Sequence, residues 1–245
     1  MIKLERKYTP IRLNPILVST LTDKFKKEGT NVWNVDWLKK SLLSLSYGKC
    51  SYCECNITEE SKYMEVEHFE DKDNNPDKVL EWNNLLPSCK RCNGSKSTHD
   101  VIASPIINPF VIDPKQHLYL SWYRFKEKDL LGKATIEVVN LNHAERAIQK
   151  RFEVGEGLEE LIDIAATRLT SYVDKQIIQR KNKLVNIVEE ILKECIPESI
   201  YAGTCATVLH KSIEFNLTMK KMKSIGLWTS ENENLFQKSK AIQLI

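Results

Sequence analysis

Residues 50–96 read CSYCECNITEESKYMEVEHFEDKDNNPDKVLEWNNLLPSCKRCNGSK and carry most of the recognisable chemistry of the chain. Two CxxC pairs stand at the ends of this stretch, formed by Cys50, Cys53, Cys89 and Cys92. Each pair offers two sulfurs from one tight turn, and four thiolates can close a tetrahedron around Zn²⁺ at about 2.3 Å per bond. The spacing therefore predicts a structural zinc site. Cys55 is an alternative ligand, but Cys50 with Cys53 has the better spacing.

The loop between the two pairs contains an acidic residue directly before a histidine, Glu67-His68. Alternating polarity over residues 63–68 predicts a strand with Glu65 and Glu67 facing outward, and the polar run 71–76 ends it. A carboxylate at this point can bind a hard cation while the imidazole takes a proton from water. Because neighbours in a regular strand point to opposite faces, the pair can serve one site only if the strand bends or ends there.

Two asparagines flank the second CxxC pair, with Asn84 before it and Asn93 directly after Cys92. Alone, such residues are usually turn formers or helix caps. If a helix begins near Cys89, however, Asn93 and Lys96 lie on the same face of it. Both asparagines are therefore candidate site residues.

The order Glu-His, Asn-Leu-x-x-x-Cys-x-x-Cys-Asn and Lys, framed by an earlier CxxC, resembles that of the HNH endonucleases and their zinc-bearing ββα-metal core. The resemblance implies that His68 is the general base and that Asn84 braces the loop. Glu67 and Asn93 become ligands of a catalytic divalent ion, for which oxygen ligands favour Mg²⁺ or Mn²⁺. The implied reaction is hydrolysis of a nucleic-acid phosphodiester bond, with DNA as the favoured substrate and RNA left open.

Three basic residues beside the second CxxC pair are expected to hold the nucleic-acid backbone: Lys90, Arg91 and Lys96. They can equally form a solvated face, because the formal net charge of the chain is only +3 and does not by itself argue nucleic-acid binding. Of seven cysteines, four are assigned to zinc, and the others show no pairing pattern, which predicts a reducing cytoplasm. We find no 18-residue apolar run and no signal peptide, which argues against a membrane protein.

Segments outside residues 50–96 indicate which group of HNH endonucleases the chain resembles. A basic start MIKLERKYTP, a segment PIINPFVIDP after the core and a helical second half resemble the PtuB family, the HNH effectors of Septu and retron anti-phage systems. This resemblance implies a PtuA-like ABC/SMC-type ATPase as partner and, in retrons, a reverse transcriptase with its multicopy DNA. It also motivates the hypothesis that the N-terminal arm and the C-terminal helices bind the ATPase and that the site is masked until release.

The predicted fold class is α+β, with four regions along the chain. Residues 1–48 form an N-terminal arm and helices, 49–114 the zinc-stabilised ββα core, 115–140 a β-hairpin extension and 141–245 a helical region. The first helix is predicted between Asn14 and Gly29. The second is predicted to have Asp36 as its cap, one stripe of leucines, Leu38, Leu42 and Leu45, and Gly48 as its stop. The runs 118–125 and 134–139 predict the two strands of the hairpin, joined across Gly132.

The helical region begins with a predicted capping box formed by Asn142 and Glu145. Gly155 and Gly157 are expected to separate a first helix from a longer one. Two apolar stripes follow up to Pro197, and residues 201–215 allow one further helix. The tail from residue 226 shows no readable function.

Two other functions remain open at this stage. A catalytically silent zinc module could bind nucleic acid or scaffold a complex, but it would not need Glu67, His68 and Asn93 together. An HNH restriction endonuclease for modified DNA would need a base-reading domain, and the sequence shows no signature of one.

Overall fold

The computed structural model describes residues 1–58 and 64–245, which form two units. The first unit comprises Met1–Leu118 and Phe125–Asn142, and the second comprises Tyr119–Arg124 and His143–Ile245. The helices are α1 Pro15–Glu28, α2 Asp36–Leu45, α3 Lys90–Lys96, α4 Leu130–Val138, α5 Gln149–Asp174, α6 Ile178–Glu194, α7 Ala202–Lys211, α8 Ile213–Ser224 and α9 Ser230–Ile242. The strands are β1 Met64–His68, β2 Leu85–Cys89, β3 Leu118–Ser121 and β4 Arg124–Glu127. Small antiparallel sheets in a mostly helical chain confirm the α+β class.

Helix α1 confirms the predicted signals at its ends, whereas α2 starts one residue before the predicted Asp36 cap would allow and ends at Leu45, before the predicted stop at Gly48. The Asn14 side chain accepts a hydrogen bond from the backbone N–H of Leu17 at 2.9 Å, and Gly29 closes α1 with a φ of 67°. Helix α2 begins at Asp36 itself, with Val35 as its N-cap, and buries the predicted leucine stripe. The two helices precede the first CxxC pair in the same unit.

The N-terminal arm packs into its own unit, so its beginning is not free for a partner. Met1, Ile2 and Leu4 are buried, and the amino group of Met1 donates to a Glu54 carboxylate oxygen at 2.5 Å. Arg6 donates to the backbone oxygen of Leu85 at 2.6 Å. Met1, Ile2 and Leu4 therefore contribute to the core of this unit, and the hypothesis that the arm binds a partner stays a prediction for its exposed residues.

Strands β1 and β2 pair antiparallel, and α3 follows β2 directly, which gives the order strand, strand, helix. The predicted strand began at Tyr63, which lies outside the described residues. In the observed register Glu67 lies opposite Leu86 and His68 opposite Leu85. The strand ends at His68, which is the condition under which Glu67 and His68 can serve the same site.

The predicted hairpin 115–140 is corrected in its second half. Strands β3 and β4 form a shorter hairpin whose turn is Trp122-Tyr123, and residues 134–139 lie mainly in helix α4. Asp129 caps this helix by accepting from the backbone N–H of Gly132 at 2.9 Å. Its buried positions, Gly132, Thr135 and Val139, follow helical spacing. The β-branched residues of this run suggested a strand, but the cap and the burial spacing favour a helix.

Helix α5 is continuous through Gly155 and Gly157, so the predicted break there is wrong. The predicted capping box is also wrong, because Asn142 instead exchanges hydrogen bonds with the backbone of Phe125 at 2.9 and 2.8 Å. A π-helical turn starting at residue 144 leads into α5. The second unit packs α5 against α6, α7 and α8, with the predicted apolar stripes buried between them.

The tail without a readable pattern contains helix α9, which begins with a capping box between Thr229 and Asn232. Within residues 1–58 and 64–245, no helix combines the length and the apolar composition that a membrane crossing requires.

Candidate metal centre and active site

The four predicted cysteines come together in the first unit. The sulfur atoms of Cys50, Cys53, Cys89 and Cys92 lie within 4.8 Å of one another, and Cys53 Sγ is 3.8 Å from Cys89 Sγ. A tetrahedral zinc with bonds of about 2.3 Å has ligand–ligand edges of about 3.8 Å. The donor set and the spacing therefore fit zinc. In the described part of the chain, no other group of three or more Cys, His, Asp or Glu side chains brings its ligand atoms within 4.8 Å of one another. Cys55 does not belong to this group.

Local structure explains how the second pair is presented. Cys89 ends β2 and caps α3, and its sulfur accepts from the backbone N–H of Cys92 at 3.5 Å. Arg91 donates to the Cys92 sulfur at 3.2 Å, where its charge offsets that of thiolates. Ser88 Oγ lies 3.7 Å from the Cys50 sulfur. These contacts surround the metal centre with polar partners.

Glu67 is buried, contrary to the prediction that it faces outward. Its Oε1 atom accepts from Lys96 Nζ at 2.8 Å, and both side chains are almost inaccessible, at 2% and 0% exposure. Lys96 Nζ also donates to the backbone oxygen of His68 at 3.0 Å. The sequence correctly places Lys96 near the site, but its prediction as a nucleic-acid contact is wrong, because the ammonium group is enclosed.

Burial dominates the acid–base behaviour of Glu67. Removal of the carboxylate from water raises its pKa to about 7, although Lys96 and the Tyr52 hydroxyl stabilise the charged form. The effect of burial on the pKa is larger than the combined effect of these two partners. Glu67 thus changes charge close to neutral pH.

The His68 imidazole is held in one tautomer. Its Nε2 atom lies 3.0 Å from the backbone oxygen of Val79, which can only accept, so Nε2 carries the proton. The other nitrogen, Nδ1, is left with its lone pair. The edge-on contact with Trp33, at 4.7 Å between ring centres, further fixes the ring. Burial lowers the pKa of His68 to about 4, so the imidazole is neutral at physiological pH.

Asn84 ties together the loop between β1 and β2. Its side-chain oxygen accepts from the backbone N–H of Glu70 at 2.7 Å. Its amide donates to the backbone oxygens of Glu70 at 3.0 Å and Lys78 at 3.2 Å. Since Lys78 directly precedes the residue that orients His68, Asn84 lies outside the reacting groups and supports the loop that holds them.

Asn93 contacts Glu65 rather than Glu67, the residue with which it was predicted to share a metal ion. Its amide donates to Glu65 Oε2 at 2.6 Å, whereas Glu67 pairs with Lys96 one turn further along α3. An amide nitrogen that donates to Glu65 leaves the amide oxygen of Asn93 as an acceptor or metal ligand. Glu65 is a site residue that the sequence analysis missed. The sequence did contain a signal for Glu65, because residues two apart in a strand, such as Glu65 and Glu67, lie on the same face.

One cleft of about 430 Å³ is lined by Glu65, Glu67, His68 and Asn93, whereas Asn84 and Lys96 do not line it. From β1 and the following turn it is lined by Glu65, Glu67, His68 and Asp71, and from α3 by Asn93. The cleft is also lined by four residues that precede the first CxxC pair in the sequence: Asn31, Trp33, Asn34 and Lys39. No motif marks these residues in the sequence, because only the packing of the α1–α2 connection places them at the cleft.

Among the predicted basic contacts, only Lys90 is exposed. The Arg91 guanidinium donates to the backbone oxygen of Asn140 at 2.6 Å besides its contact with Cys92. Arg91 is therefore engaged in the fold of the first unit, which argues against its predicted role.

Comparison with known proteins identifies relatives along almost the whole chain. No family model matches it. The chain is 40% identical over 240 residues to the Septu protein PtuB of Bacillus thuringiensis, covering 96% of this chain and 92% of the relative. It is also 24% identical over 251 residues to the Septu protein PtuB of Bacillus mycoides (strain KBAB4), covering 79% and 84%. The extent and identity of the first match show that this chain belongs to the PtuB family of Septu proteins.

Proposed function

We propose that this protein is a metal-dependent endonuclease of the HNH type. The observation that carries the proposal is the state of His68, whose Nε2 proton is committed to Val79 while Nδ1 is free of protons inside an acidic cleft. A neutral imidazole with one available lone pair is suited to take a proton from water. His68 is thus the general base, and Asn84 positions the loop behind it.

We further propose that a hard divalent ion binds in this cleft. Glu67 and the amide oxygen of Asn93 would hold it, and the Glu65 carboxylate lies beside them. Mg²⁺ is commonly bound through one or two carboxylates, waters and substrate phosphate, so a small protein ligand set suits it or Mn²⁺. Such an ion, when bound, stabilises negative charge on the phosphate that is attacked. Lys96 orients the Glu67 carboxylate through the buried contact between its Nζ atom and Glu67 Oε1.

The test is cleavage of plasmid DNA and of total RNA with Mg²⁺ or Mn²⁺. We expect His68→Ala to reduce cleavage by at least about 10²-fold, the lower range for loss of a general base. His99→Ala is the matched control, because His99 contacts the backbone oxygen of Ser104 and not the cleft. Equal cleavage by wild type and His68→Ala would reject the mechanism. An inactive wild type, even with its partner present, would favour the silent zinc module.

The proposed context is anti-phage defence in a Septu-type system, with a PtuA-like ATPase as partner. The family assignment supports this context, and a surface of the second unit supports a protein partner. Trp122 is 89% exposed, and both turn residues, Trp122 and Tyr123, have positive φ angles of 48° and 59°. Arg151 donates to the backbone oxygen of Tyr123 at 2.8 Å and so holds the turn. A strained turn that presents an exposed tryptophan is typical of a binding hot spot.

Co-purification with a PtuA-like protein tests this part of the proposal. We expect Trp122→Ala to weaken complex formation, whereas Ile178→Ala, which removes another exposed apolar side chain of the second unit, leaves it unchanged. An unaltered complex with Trp122→Ala would exclude the turn from the interface. Association with a reverse transcriptase and multicopy DNA stays a prediction, and nucleic acid recovered with the complex would test it.

A further inference from the structure

A second cavity adjoins the candidate active site within the first unit. It has a volume of about 530 Å³ and is lined by residues of α1, the α1–α2 connection and the turn after β1. Asn31, Trp33 and Lys72 line this cavity and the catalytic cleft alike. The two cavities therefore lie next to each other at these residues and are together called the Trp33 groove, with His68 in the first and Phe25 and Pro76 in the second.

Three lysines line the Trp33 groove, Lys26, Lys39 and Lys72, beside the acidic residues Glu65, Glu67, Asp71 and Asp73. Lys26 pairs with Asp77, so Lys39 and Lys72 are the candidates for phosphate contacts. Lys39, on α2, lines the part that contains His68, and it forms no ion pair with any residue that the structure describes. Lys72 pairs with its neighbour Asp73 at 3.2 Å, and both side chains are partly exposed, so water and salt weaken this pair. Both ammonium groups are thus available to a phosphate group, unlike the enclosed Lys96.

Trp33 supplies an aromatic surface at the junction of the two cavities. Its ring packs edge-on against His68 at 4.7 Å and against Phe25 at 5.5 Å. The Lys72 ammonium lies 5.9 Å from its ring centre. The ring is half-buried, so these neighbours support it while part of it stays accessible in the groove.

We propose that the Trp33 groove binds a single unpaired strand of nucleic acid and guides it to His68. Lys39 and Lys72 contact the phosphates, and a base stacks on Trp33. Lysines that can contact phosphates beside an aromatic platform are a usual combination for single-stranded nucleic acid, because every base has a face that can stack. Bases in an intact duplex are already stacked on one another and cannot reach a ring inside a groove without leaving the helix. This inference names the substrate class of the proposed nuclease and rests on that function.

Binding is measured separately from cleavage, with zinc-loaded full-length protein in Mg²⁺-free buffer. Fluorescence anisotropy compares a labelled single-stranded oligonucleotide with a blunt duplex of the same sequence. We expect tighter binding of the single strand, and Trp33→Ala should weaken it by about tenfold, within the range known for loss of one stacked base. Trp33→Phe should retain most of the affinity because it keeps a ring.

The lysines have a matched control on the same helix. Lys39→Ala and Lys72→Ala should each reduce the slope of log affinity against log salt by about 0.7, the value for one phosphate contact on a single strand. Lys40→Ala should not change the slope, because Lys40 is exposed and does not line the groove. Circular dichroism and zinc content establish that each variant is folded.

The outcomes separate this inference from the proposed nuclease. Equal affinity of Trp33→Ala, Trp33→Phe and wild type, or stronger binding of the duplex, would overturn the groove as a single-strand site even if cleavage depends on His68. Trp33-dependent binding without any cleavage would keep the groove and reject the enzyme.

Discussion

Lys96 shows how burial changes the role of a residue that sequence alone places near a site. Its ammonium group and the Glu67 carboxylate form a pair at 2.8 Å with side-chain exposures of 0% and 2%. Removal of one partner leaves an uncompensated buried charge, which typically costs about 3–5 kcal/mol. We therefore expect Lys96→Met to lower the free energy of unfolding of the first unit by about this amount, measured by urea denaturation.

The control for this prediction is Lys90→Met on the same helix, where the side chain is exposed and the expected change is close to zero. The double variant Lys96→Met/Glu67→Met should regain stability relative to Lys96→Met, because neither charge is then buried alone. A loss no greater for Lys96→Met than for Lys90→Met would show that the pair does not stabilise the fold.

The two titrating residues of the cleft predict a metal-dependent pH profile. Burial lowers the pKa of His68 to about 4, so the base is already neutral above about pH 5. Burial raises the pKa of Glu67 to about 7, so below that pH protons compete with a divalent ion for the carboxylate. At limiting Mg²⁺ the cleavage rate should rise with pH up to about 7, and at saturating Mg²⁺ it should be nearly constant from pH 6 to 8. Identical profiles at both concentrations would contradict this assignment.

At the residue scale, spacing predicted the four cysteines well, because a CxxC turn fixes its ligands locally. The resemblance to HNH endonucleases assigned Glu67, His68, Asn84 and Asn93 to one site, and the structure brings Glu67, His68 and Asn93 to one cleft, with Asn84 in the supporting loop. The partners of these side chains depend on pairing between β1 and α3, so the sequence did not predict that Asn93 contacts Glu65 or that Lys96 is enclosed.

Among the elements, helix α5 contains two glycines whose surroundings differ. A Cβ atom added at Gly155 would overlap the Tyr123 ring, whereas one added at Gly157 would meet nothing within 4 Å. We expect Gly155→Ala to destabilise the second unit by about 1–3 kcal/mol through overpacking. Gly157→Ala should stabilise it by about 0.5–1 kcal/mol, because alanine favours a helix. Thermal unfolding of both variants tests the pair, and equal shifts would show that Tyr123 does not pack against α5 as described.

The same glycines show why element boundaries were mispredicted. Glycine weakens a helix by only about 1 kcal/mol relative to alanine, so a glycine that admits a tyrosine ring can remain inside one. In α4, β-branched residues suggested a strand, while the cap at Asp129 and the buried Thr135 formed a helix. In both cases the local preference of the residues for helix or strand is weak, and packing within the unit determines which structure forms.

For the whole molecule, the zinc centre and the helical unit predict unequal responses to metal removal. The four thiols belong to the first unit, and in the part of the chain that the structure describes the second unit has no comparable cluster. A strong chelator should release about one zinc per chain and lower the unfolding temperature of the first unit. The helical signal of the second unit in circular dichroism should persist. Loss of all helical signal on chelation would show that the second unit depends on the metal.

The division into units was the least predictable feature. Residues 119–124 lie within the hairpin, yet they belong to the second unit, and residues 125–142 return to the first. Composition does not change at these points. The crossing follows from contacts between distant segments, such as the backbone hydrogen bond between Leu120 and Leu244 at 2.8 Å.

Helix α3 is only seven residues long, and such a helix does not persist alone in water. Its N-cap Cys89 and its third residue Cys92 belong to the four-cysteine cluster, and Asn93 and Lys96 contact Glu65 and Glu67 of β1. Without zinc, α3 is therefore expected to lose its order, and Asn93 and Lys96 would lose their fixed positions beside β1. The cysteine cluster then acts as a fastener for the candidate site, although none of its sulfur atoms lines the cleft.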